Sequence, residues 1–168
     1  MPNASSQAQT KSKKQAMPMA DNAQIAIIEA RFYADIADAL AEGAIAAIEK
    51  AGATYERFAV PGVLEIPAAL AMISKTRRHE FDAYVLLGCV IRGETSHYEI
   101  VANESARAIM AFQVKKRLAL GNGILTVENA DQAWIRAHKG EKDKGGGAAE
   151  AAMALMRLRR SLEDGCEE

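Results

Sequence analysis

The sequence predicts an α/β protein, a three-layer αβα sandwich built on a four-stranded parallel sheet. Short apolar runs alternate with longer helical patterns along the chain, which is the signature of βαβ units. The apolar fraction of 49% and the charged fraction of 26% are ordinary for a folded domain. The length of 168 residues suits one domain, and the sequence has no internal repeat.

The two ends of the chain differ in composition from the part between them. Residues 1–22 are rich in Ser, Gln, Ala and Lys but lack the continuous apolar core of a secretory signal. We predict a disordered tail at residues 1–22, one domain at residues 23–163 and a flexible C-terminus at residues 164–168. Three lysines of the tail could contact an acidic partner, but a solvated terminus is the commoner state of such a segment.

The first strand and helix follow directly after the tail. The segment Gln-Ile-Ala-Ile-Ile-Glu at 24–29 predicts a buried strand. Asp35 is expected to cap the helix that follows, and Gly52 stands just after its end, where a left-handed residue is favoured. The apolar face of this helix repeats every four residues, at Ile36, Leu40, Ala44 and Ile48.

Two further strands lie on either side of a second helix. Residues 54–60 predict a strand that a Pro-Gly pair ends, and the helix begins near Leu64 or Pro67, since proline is tolerated in a first turn. Residues 83–88 are apolar throughout, as expected of a central parallel strand covered on both faces.

The last part of the domain contains three helices and the fourth strand. We predict a helix at 96–113, a strand at 118–127 and helices at 130–137 and 146–162, with the glycines at 145–147 marking the start of the last. The elements together indicate a flavodoxin-like fold. One face of the last helix is expected to carry the buried residues Ala148, Ala152, Leu155, Leu158 and Leu162.

Composition and spacing exclude several functions. The formal charge of −1 gives no global field for nucleic acid or an anionic membrane, and no apolar run approaches the roughly 20 residues of a membrane helix. The glycines at 140 and 145 lack the Lys and Ser or Thr of a phosphate loop, and Gly121 and Gly123 do not extend to a dinucleotide motif. The histidines and cysteines have no metal-ligand spacing. We therefore expect a cytoplasmic protein with no metal, no cofactor, no nucleic-acid partner and no membrane partner.

Residues with useful chemistry follow the predicted strands. In open α/β sheets, ligands bind beyond the carboxyl ends of the strands. The aromatic Phe32 follows the first strand, the carboxylate Glu65 the second, and a glycine-hydroxyl loop with His97 the third. We expect these side chains to converge on one edge of the sheet.

The loop at residues 93–96 leads directly into a helix. Its free N–H groups could bind a phosphate, with Arg92, Arg136, Lys142 and Lys144 as sources of positive charge. The alternative is an ordinary N-cap at Thr95 or Ser96, and the charge of Glu94 also argues against an anion. The loop by itself leaves both interpretations open.

His97 is the best candidate for proton transfer. It lies in the first turn of the predicted helix, where the helix dipole disfavours imidazolium. A packed or surface histidine is the alternative, and it is the preferred interpretation for His79 and His138. Cys89 could act as a nucleophile beside His97, although a buried strand thiol is the commoner case.

Five sequence blocks occur in order along the chain: Arg31-Phe32, Pro-Gly-Val-Leu-Glu-Ile-Pro at 61–67, Leu-Gly-Cys-Val-Ile-Arg-Gly-Glu-Thr-Ser-His at 87–97, Asn-Gly-Ile-Leu-Thr-Val-Glu-Asn at 122–129 followed by Gln132-Ala133, and Lys-Asp-Lys-Gly at 142–145. With these blocks the chain resembles the lumazine synthase family over residues 24–162. The resemblance implies condensation of 5-amino-6-(D-ribitylamino)uracil with 3,4-dihydroxy-2-butanone 4-phosphate to give 6,7-dimethyl-8-ribityllumazine. Imine formation, phosphate elimination and ring closure need proton transfer and positioning but no cofactor.

The resemblance also implies a role for each site residue. Phe32 would stack on the pyrimidine, Glu65 would bind ribityl hydroxyls, and His97 would be the proton shuttle. Arg136, with Lys144 close by, would reach the phosphate from the neighbouring subunit of a homopentamer or a larger assembly. Polar edges would be held by the backbone near Val63, Leu64, Val90 and Ile91, and the phosphate by Gly93, Glu94 and Thr95.

Three positions depart from the family pattern. Asn122 stands where many members have a phenylalanine contributed by the neighbour, Cys89 where many have threonine, and Glu94 where a small residue is common. These departures motivate a rival hypothesis, a non-catalytic flavin- or lumazine-binding protein on the same fold. A scaffold that assembles without using the pocket is a further alternative.

Overall fold

A computed structural model describes residues 22–76 and 80–164 of the chain. The predicted tail, apart from Asn22, and the predicted C-terminus, apart from Asp164, lie outside the described residues, as does His79. Within the described ranges the elements are β1 (Gln24–Ala30), α1 (Ala34–Lys50), β2 (Thr54–Val60), a 3₁₀ turn (Val63–Glu65), α2 (Ile66–Ile73), β3 (Ala83–Ile91), α3 (His97–Lys116), β4 (Leu120–Val127), α4 (Ala130–Ala137) and α5 (Lys144–Asp164).

The four strands form one parallel sheet in the order β2-β1-β3-β4. The central strands β1 and β3 are buried on both faces, because α1, α4 and α5 cover one face and α2 and α3 the other. The prediction of a three-layer αβα sandwich is confirmed. No helix in the described part of the chain is long and apolar enough to cross a bilayer.

Helix α1 confirms the predicted apolar face, since Ile36, Leu40, Ala44 and Ile48 are all buried. Gly52 has a φ of 75°, the left-handed conformation predicted for it. The predicted cap is wrong: the helix begins at Ala34, and Asp35 lies inside its first turn rather than at the N-cap. Its carboxylate is still near the positive end of the helix dipole, which explains why the sequence resembled a cap.

Helix α5 begins earlier than predicted, at Lys144, so the three glycines lie within its first turn. The close approach of α5 to α1 explains one of them, because a Cβ on Gly145 would lie 1.9 Å from the Leu40 carbonyl oxygen. Gly121 of β4 has the same role, since a Cβ there would lie 1.8 Å from the carbonyl oxygen of Ala148. Gly145 and Gly121 therefore permit backbone contact between elements, whereas a Cβ on Gly147 would meet no atom within 4 Å.

The buried stripe of α5 also differs from the prediction. Ala148 and Ala152 are buried as expected, but Leu155, Leu158 and Leu162 are exposed. The residues that complete the buried side are Ala149, Met153 and Met156. Met153 and Met156 belong to the core cluster on this face of the sheet, whereas the three leucines do not.

The remaining differences lie at element ends. Strand β3 continues three residues beyond the predicted end at Gly88, to Ile91. Helix α3 extends to Lys116 and ends at Arg117, which adopts the left-handed conformation with a φ of 54°. The fourth strand consequently starts at Leu120 instead of residue 118.

Candidate active site

A cavity of about 490 Å³ opens where β1, β2 and β3 end. Nine predicted site residues line this cavity: Phe32, Val63, Leu64, Glu65, Val90, Ile91, Gly93, Thr95 and His97. It is also lined by residues that the sequence did not single out as ligand contacts: Tyr33, Pro61, Gly62, Cys89, Tyr98 and Val101.

The end of β1 contributes an aromatic pair to the cavity. The Phe32 side chain is 74% exposed, and its ring meets that of Tyr33 edge-on at 5.0 Å between centroids. An exposed aromatic ring beside an open cavity can stack on a planar ligand.

The end of β2 contributes the Pro-Gly turn and the 3₁₀ turn that follows it. A Cβ on Gly62 would lie 3.0 Å from Glu65 Oε2, so glycine leaves room for the carboxylate. A Cβ on Gly88 of β3 would lie 2.9 Å from Val63 Cγ2. The glycine in β3 therefore lets the 3₁₀ turn pack directly on the sheet.

The loop between β3 and α3 brings Gly93, Thr95 and His97 to the cavity. Ser96 occupies the N-cap position without a side-chain hydrogen bond to the helix. Instead, the backbone N–H of His97 donates to Thr95 Oγ1 at 3.4 Å. Thr95 thus makes a weak contact of the capping kind, and its hydroxyl is still placed at the cavity.

The Arg92 guanidinium is paired with carboxylates. Its guanidinium binds the carboxylates of Glu99 and Glu128, with Nε 2.9 Å from Glu128 Oε2, and lies 4.1 Å from the centroid of the Tyr98 ring. These carboxylates raise the pKa of Arg92, Glu99 most strongly. Arg92 therefore ties the end of β3 to α3 and to Glu128 just beyond β4, whereas its expected role as a source of positive charge for a phosphate stays a prediction.

Cys89 lines the cavity but is 7% exposed. Burial raises the pKa of its thiol to about 11, so the group is neutral near pH 7. A neutral thiol is a poor nucleophile, which favours the buried-thiol interpretation over a Cys89–His97 pair.

The family model for 6,7-dimethyl-8-ribityllumazine synthase matches residues 22–160. The chain belongs to the 6,7-dimethyl-8-ribityllumazine synthase family. Three relatives bear the same enzyme name. The protein of Bartonella tribocorum is 56% identical over 140 residues, covering 83% of this chain and 92% of the relative. The protein of Agrobacterium fabrum is 56% identical over 139 residues, covering 81% of this chain and 94% of the relative. In Rhizobium meliloti, a relative named 6,7-dimethyl-8-ribityllumazine synthase 1 is 57% identical over 141 residues, covering 82% of this chain and 92% of the relative.

Four residues that the synthase resemblance assigns to ligand binding do not line the cavity. Glu94 is exposed beside it, and Lys144 is the first residue of α5. Asn122 lies in β4, where its Oδ1 accepts a hydrogen bond from the Ile124 N–H at 3.0 Å. Arg136 lies on α4 and donates to the Gln132 carbonyl oxygen at 3.1 Å. One synthase chain therefore gathers only part of the predicted site.

The lining residues that sequence reasoning missed carry a recognisable signal. Val101 follows His97 by four residues on the same helix, so helical periodicity could have found it, and Tyr98 adjoins His97 in sequence. Tyr33 adjoins Phe32 in sequence. Across residues 22–76 and 80–164, no group of three or more His, Cys, Asp or Glu side chains could hold a metal ion.

Proposed function

We propose that this chain condenses 5-amino-6-(D-ribitylamino)uracil with 3,4-dihydroxy-2-butanone 4-phosphate to give 6,7-dimethyl-8-ribityllumazine, with release of phosphate and water. It is then a transferase of riboflavin biosynthesis that acts on small molecules. The family match over residues 22–160 and the synthase names of its relatives support this function. The structural observation that carries it is the convergence of Phe32, Glu65 and His97 on one cavity.

The cavity suits the pyrimidine substrate. The exposed Phe32 ring is available to stack on the heterocycle, and the Glu65 carboxylate is available to accept hydrogen bonds from ribityl hydroxyls. Backbone groups at the rim would bind the polar edges of the ring, at Val63, Leu64, Val90 and Ile91.

The loop after β3 suits the phosphorylated ketone. Gly93 has open space around its Cα, and Thr95 offers a hydroxyl at the start of a 20-residue helix, whose N-terminal end favours an anion. Glu94 would belong to this loop while its side chain stays outside the cavity. His97, the residue directly after the loop, would move protons during imine formation and phosphate elimination.

The rest of the site is proposed to come from a second copy of the chain. Arg136, Lys144 and Asn122 lie outside the cavity of their own chain, whereas the cavity itself is open. A guanidinium from a neighbour would supply phosphate charge that is not already shared with Glu99 and Glu128, as that of Arg92 is. We propose a homopentamer with active sites between subunits. Cytoplasmic location stays a prediction from the sequence, which cell fractionation tests.

Complementation between inactive variants tests both the function and the shared site. Lumazine fluorescence is followed after both substrates are added to wild type, His97→Ala and Arg136→Ala. The two variants are then co-expressed so that mixed assemblies form. If each site takes its cavity from one subunit and Arg136 from the next, random mixing at equal amounts restores about a quarter of the sites.

Each outcome has a distinct meaning. Wild type that makes no lumazine above the uncatalysed rate contradicts the synthase. A mixture that is no more active than either variant alone contradicts the shared site while leaving the synthase intact. The non-catalytic binding protein would require riboflavin binding without turnover, and the synthase names of the relatives favour the enzyme over it.

A further inference from the structure

Glu29 is a buried carboxylate that the proposed chemistry does not use. It is 4% exposed, and the other buried polar residue in the described part of the chain is Ser105. Glu29 lies near the end of β1, in register with Ala59 of β2 and Leu87 of β3. Because burying an unpaired charge costs several kcal/mol, its partners show what the fold gains from it.

Two arginines neutralise Glu29. Arg57 of β2 donates from Nε to Oε1 at 3.0 Å and from Nη2 to Oε2 at 2.9 Å, a two-point contact. Arg31 places Nη1 3.4 Å from Glu29 Oε2 and 2.7 Å from Asp38 Oδ1 on α1. Glu29 raises the pKa of the Arg57 guanidinium, and Asp38 raises that of Arg31. The cluster thus consists of two cations and two anions that join β1, β2 and α1.

This cluster is connected to the cavity through the backbone of Arg31. The Arg31 N–H donates to the carbonyl oxygen of Val60, the last residue of β2, at 2.9 Å. The residue after Arg31 is Phe32, and the residue after Val60 is Pro61; both line the cavity. Restraining Arg31 therefore restrains the residues at which two segments of the cavity lining begin.

Phe32 depends on such support because its side chain is 74% exposed. Packing restrains an exposed ring poorly, so its direction is set mainly by its own backbone and by Tyr33 beside it. A ring that stacks on a ligand must be held close to the productive geometry to contribute its full affinity.

We propose that Glu29 is a positioning residue that, through Arg31 and Arg57, holds Phe32 in place for the pyrimidine ring of the substrate. The inference rests on the proposed function, since it names the substrate that Phe32 meets. Glu29 touches neither substrate in this scheme. It determines affinity for the planar heterocycle and leaves the phosphate end of the cavity unaffected.

The first test is Glu29→Gln, which keeps the size of the side chain and removes its charge. The KM for the pyrimidine should rise about threefold to tenfold, the range expected for a displaced aromatic stack. The KM for the phosphorylated ketone and kcat should stay within about twofold of wild type. Equal rises in both KM values, or no change in either, would overturn the proposal. If Glu29→Gln does not fold, Arg57→Lys replaces it, because lysine keeps the charge but cannot make the two-point contact with Glu29.

A double-mutant cycle separates positioning from general stability. Adding Glu29→Gln to Phe32→Ala should leave the pyrimidine KM of Phe32→Ala unchanged, because the ring that Glu29 positions is already gone. A further rise equal to that of Glu29→Gln alone would show that Glu29 does not act through Phe32.

Asp82→Asn is the matched control. It removes the charge from another carboxylate–arginine pair, Asp82–Arg160 with 2.9 Å between Oδ1 and Nη2, whose carboxylate is more exposed than that of Glu29 and which lies at the opposite end of the sheet. This variant should lower the unfolding temperature without changing either KM. Binding of 6,7-dimethyl-8-ribityllumazine, followed by its fluorescence, gives a readout without turnover. Wild type that binds but does not turn over contradicts the proposed function, whereas unchanged binding in Glu29→Gln contradicts the positioning role.

Discussion

Two regions of the molecule differ in the groups that build them. The first is the contact between α1 and α5, and the second is the edge of the sheet that holds the cavity. At the first, the backbones approach closely: a Cβ added at Gly145 would lie 1.9 Å from the Leu40 carbonyl oxygen, and one added at Gly43 would lie 3.1 Å from the Gly146 nitrogen and 2.0 Å from Asp143 Oδ1. At the second, side chains project into solvent, with Phe32 74% and Leu64 41% exposed and no heavy atom within 4 Å of a Cβ on Gly93.

The difference separates residues that maintain the fold from residues that are available for chemistry. A close-packed contact tolerates no added atom, since interiors have the density of organic crystals. An open edge can change its exposed side chains at little cost in stability, because those side chains have few packing contacts. Substitutions at the α1–α5 contact should therefore change the free energy of unfolding, and substitutions at the cavity should change kinetics.

The largest effect is expected for His97→Ala. Loss of a proton-transfer group lowers kcat by roughly 10²-fold to 10⁴-fold. Because His97 is exposed, the free energy of unfolding should change by less than about 0.5 kcal/mol. Lumazine fluorescence and urea denaturation measure the two quantities. His138→Ala, an exposed histidine away from the cavity, is the control and should keep wild-type kcat. An active His97→Ala enzyme would refute the proton-shuttle assignment.

The next largest effect is expected from a pair of substitutions in the same turn of α5, Gly145→Ala and Gly147→Ala. The alanine at 145 forces α5 away from Leu40 and should destabilise the protein by about 3 kcal/mol. The alanine at 147 meets no atom within 4 Å and should stabilise it by about 0.5–1 kcal/mol, the difference in helix propensity.

Urea denaturation at one fixed protein concentration compares these two glycine variants, because assembly makes apparent stability depend on concentration. Equal effects of the two alanines would show that α5 does not approach α1 as closely as the structure indicates. A large drop at 147 alone would mean that this open face of the helix is covered in the assembly.

The sheet could be predicted because β1 and β3 are apolar runs. Such a run can be recognised in the sequence without knowing which elements pack against it. The stripe of α5 could not be predicted in the same way. Stripes through Leu155 and Leu158 or through Met153 and Met156 both satisfy helical spacing. In the folded chain Met153 and Met156 are buried and the leucines are exposed, and the choice between the two stripes depends on the elements that pack against α5.

The candidate site shows the same limit. Residues next to strand ends were found because topology alone brings them to one edge of the sheet. The pairing of Arg92 with Glu128 could not be predicted, since the two residues are 36 positions apart and meet only after β3 and β4 pair. Whether Arg136 and Lys144 complete the cavity depends on a second chain, which the sequence implies only through resemblance.

Cys89 lies where the packed interior meets the cavity, and its effect should depend on pH. Because its folded pKa is about 11, above the ordinary value of 9.0, the neutral thiol stabilises the fold fully below about pH 9. That contribution is lost as the pH rises towards 11. Wild type should lose about 1–3 kcal/mol more than Cys89→Ala over this window. Urea denaturation at several pH values tests this, and parallel curves for the two proteins would contradict the burial of the thiol.

The smallest effect is expected at Thr95, where the capping and phosphate interpretations differ. Its hydrogen bond from the His97 N–H is long at 3.4 Å, so Thr95→Ala should change the free energy of unfolding by less than about 0.5 kcal/mol. If the hydroxyl binds the phosphate, the KM for the phosphorylated ketone rises about fivefold, equivalent to roughly 1 kcal/mol for one hydrogen bond. Thr95→Ser keeps the hydroxyl and should match wild type in both quantities. A loss of stability with an unchanged KM would make Thr95 a cap alone, and would place it with the residues that maintain the fold despite its position at the cavity.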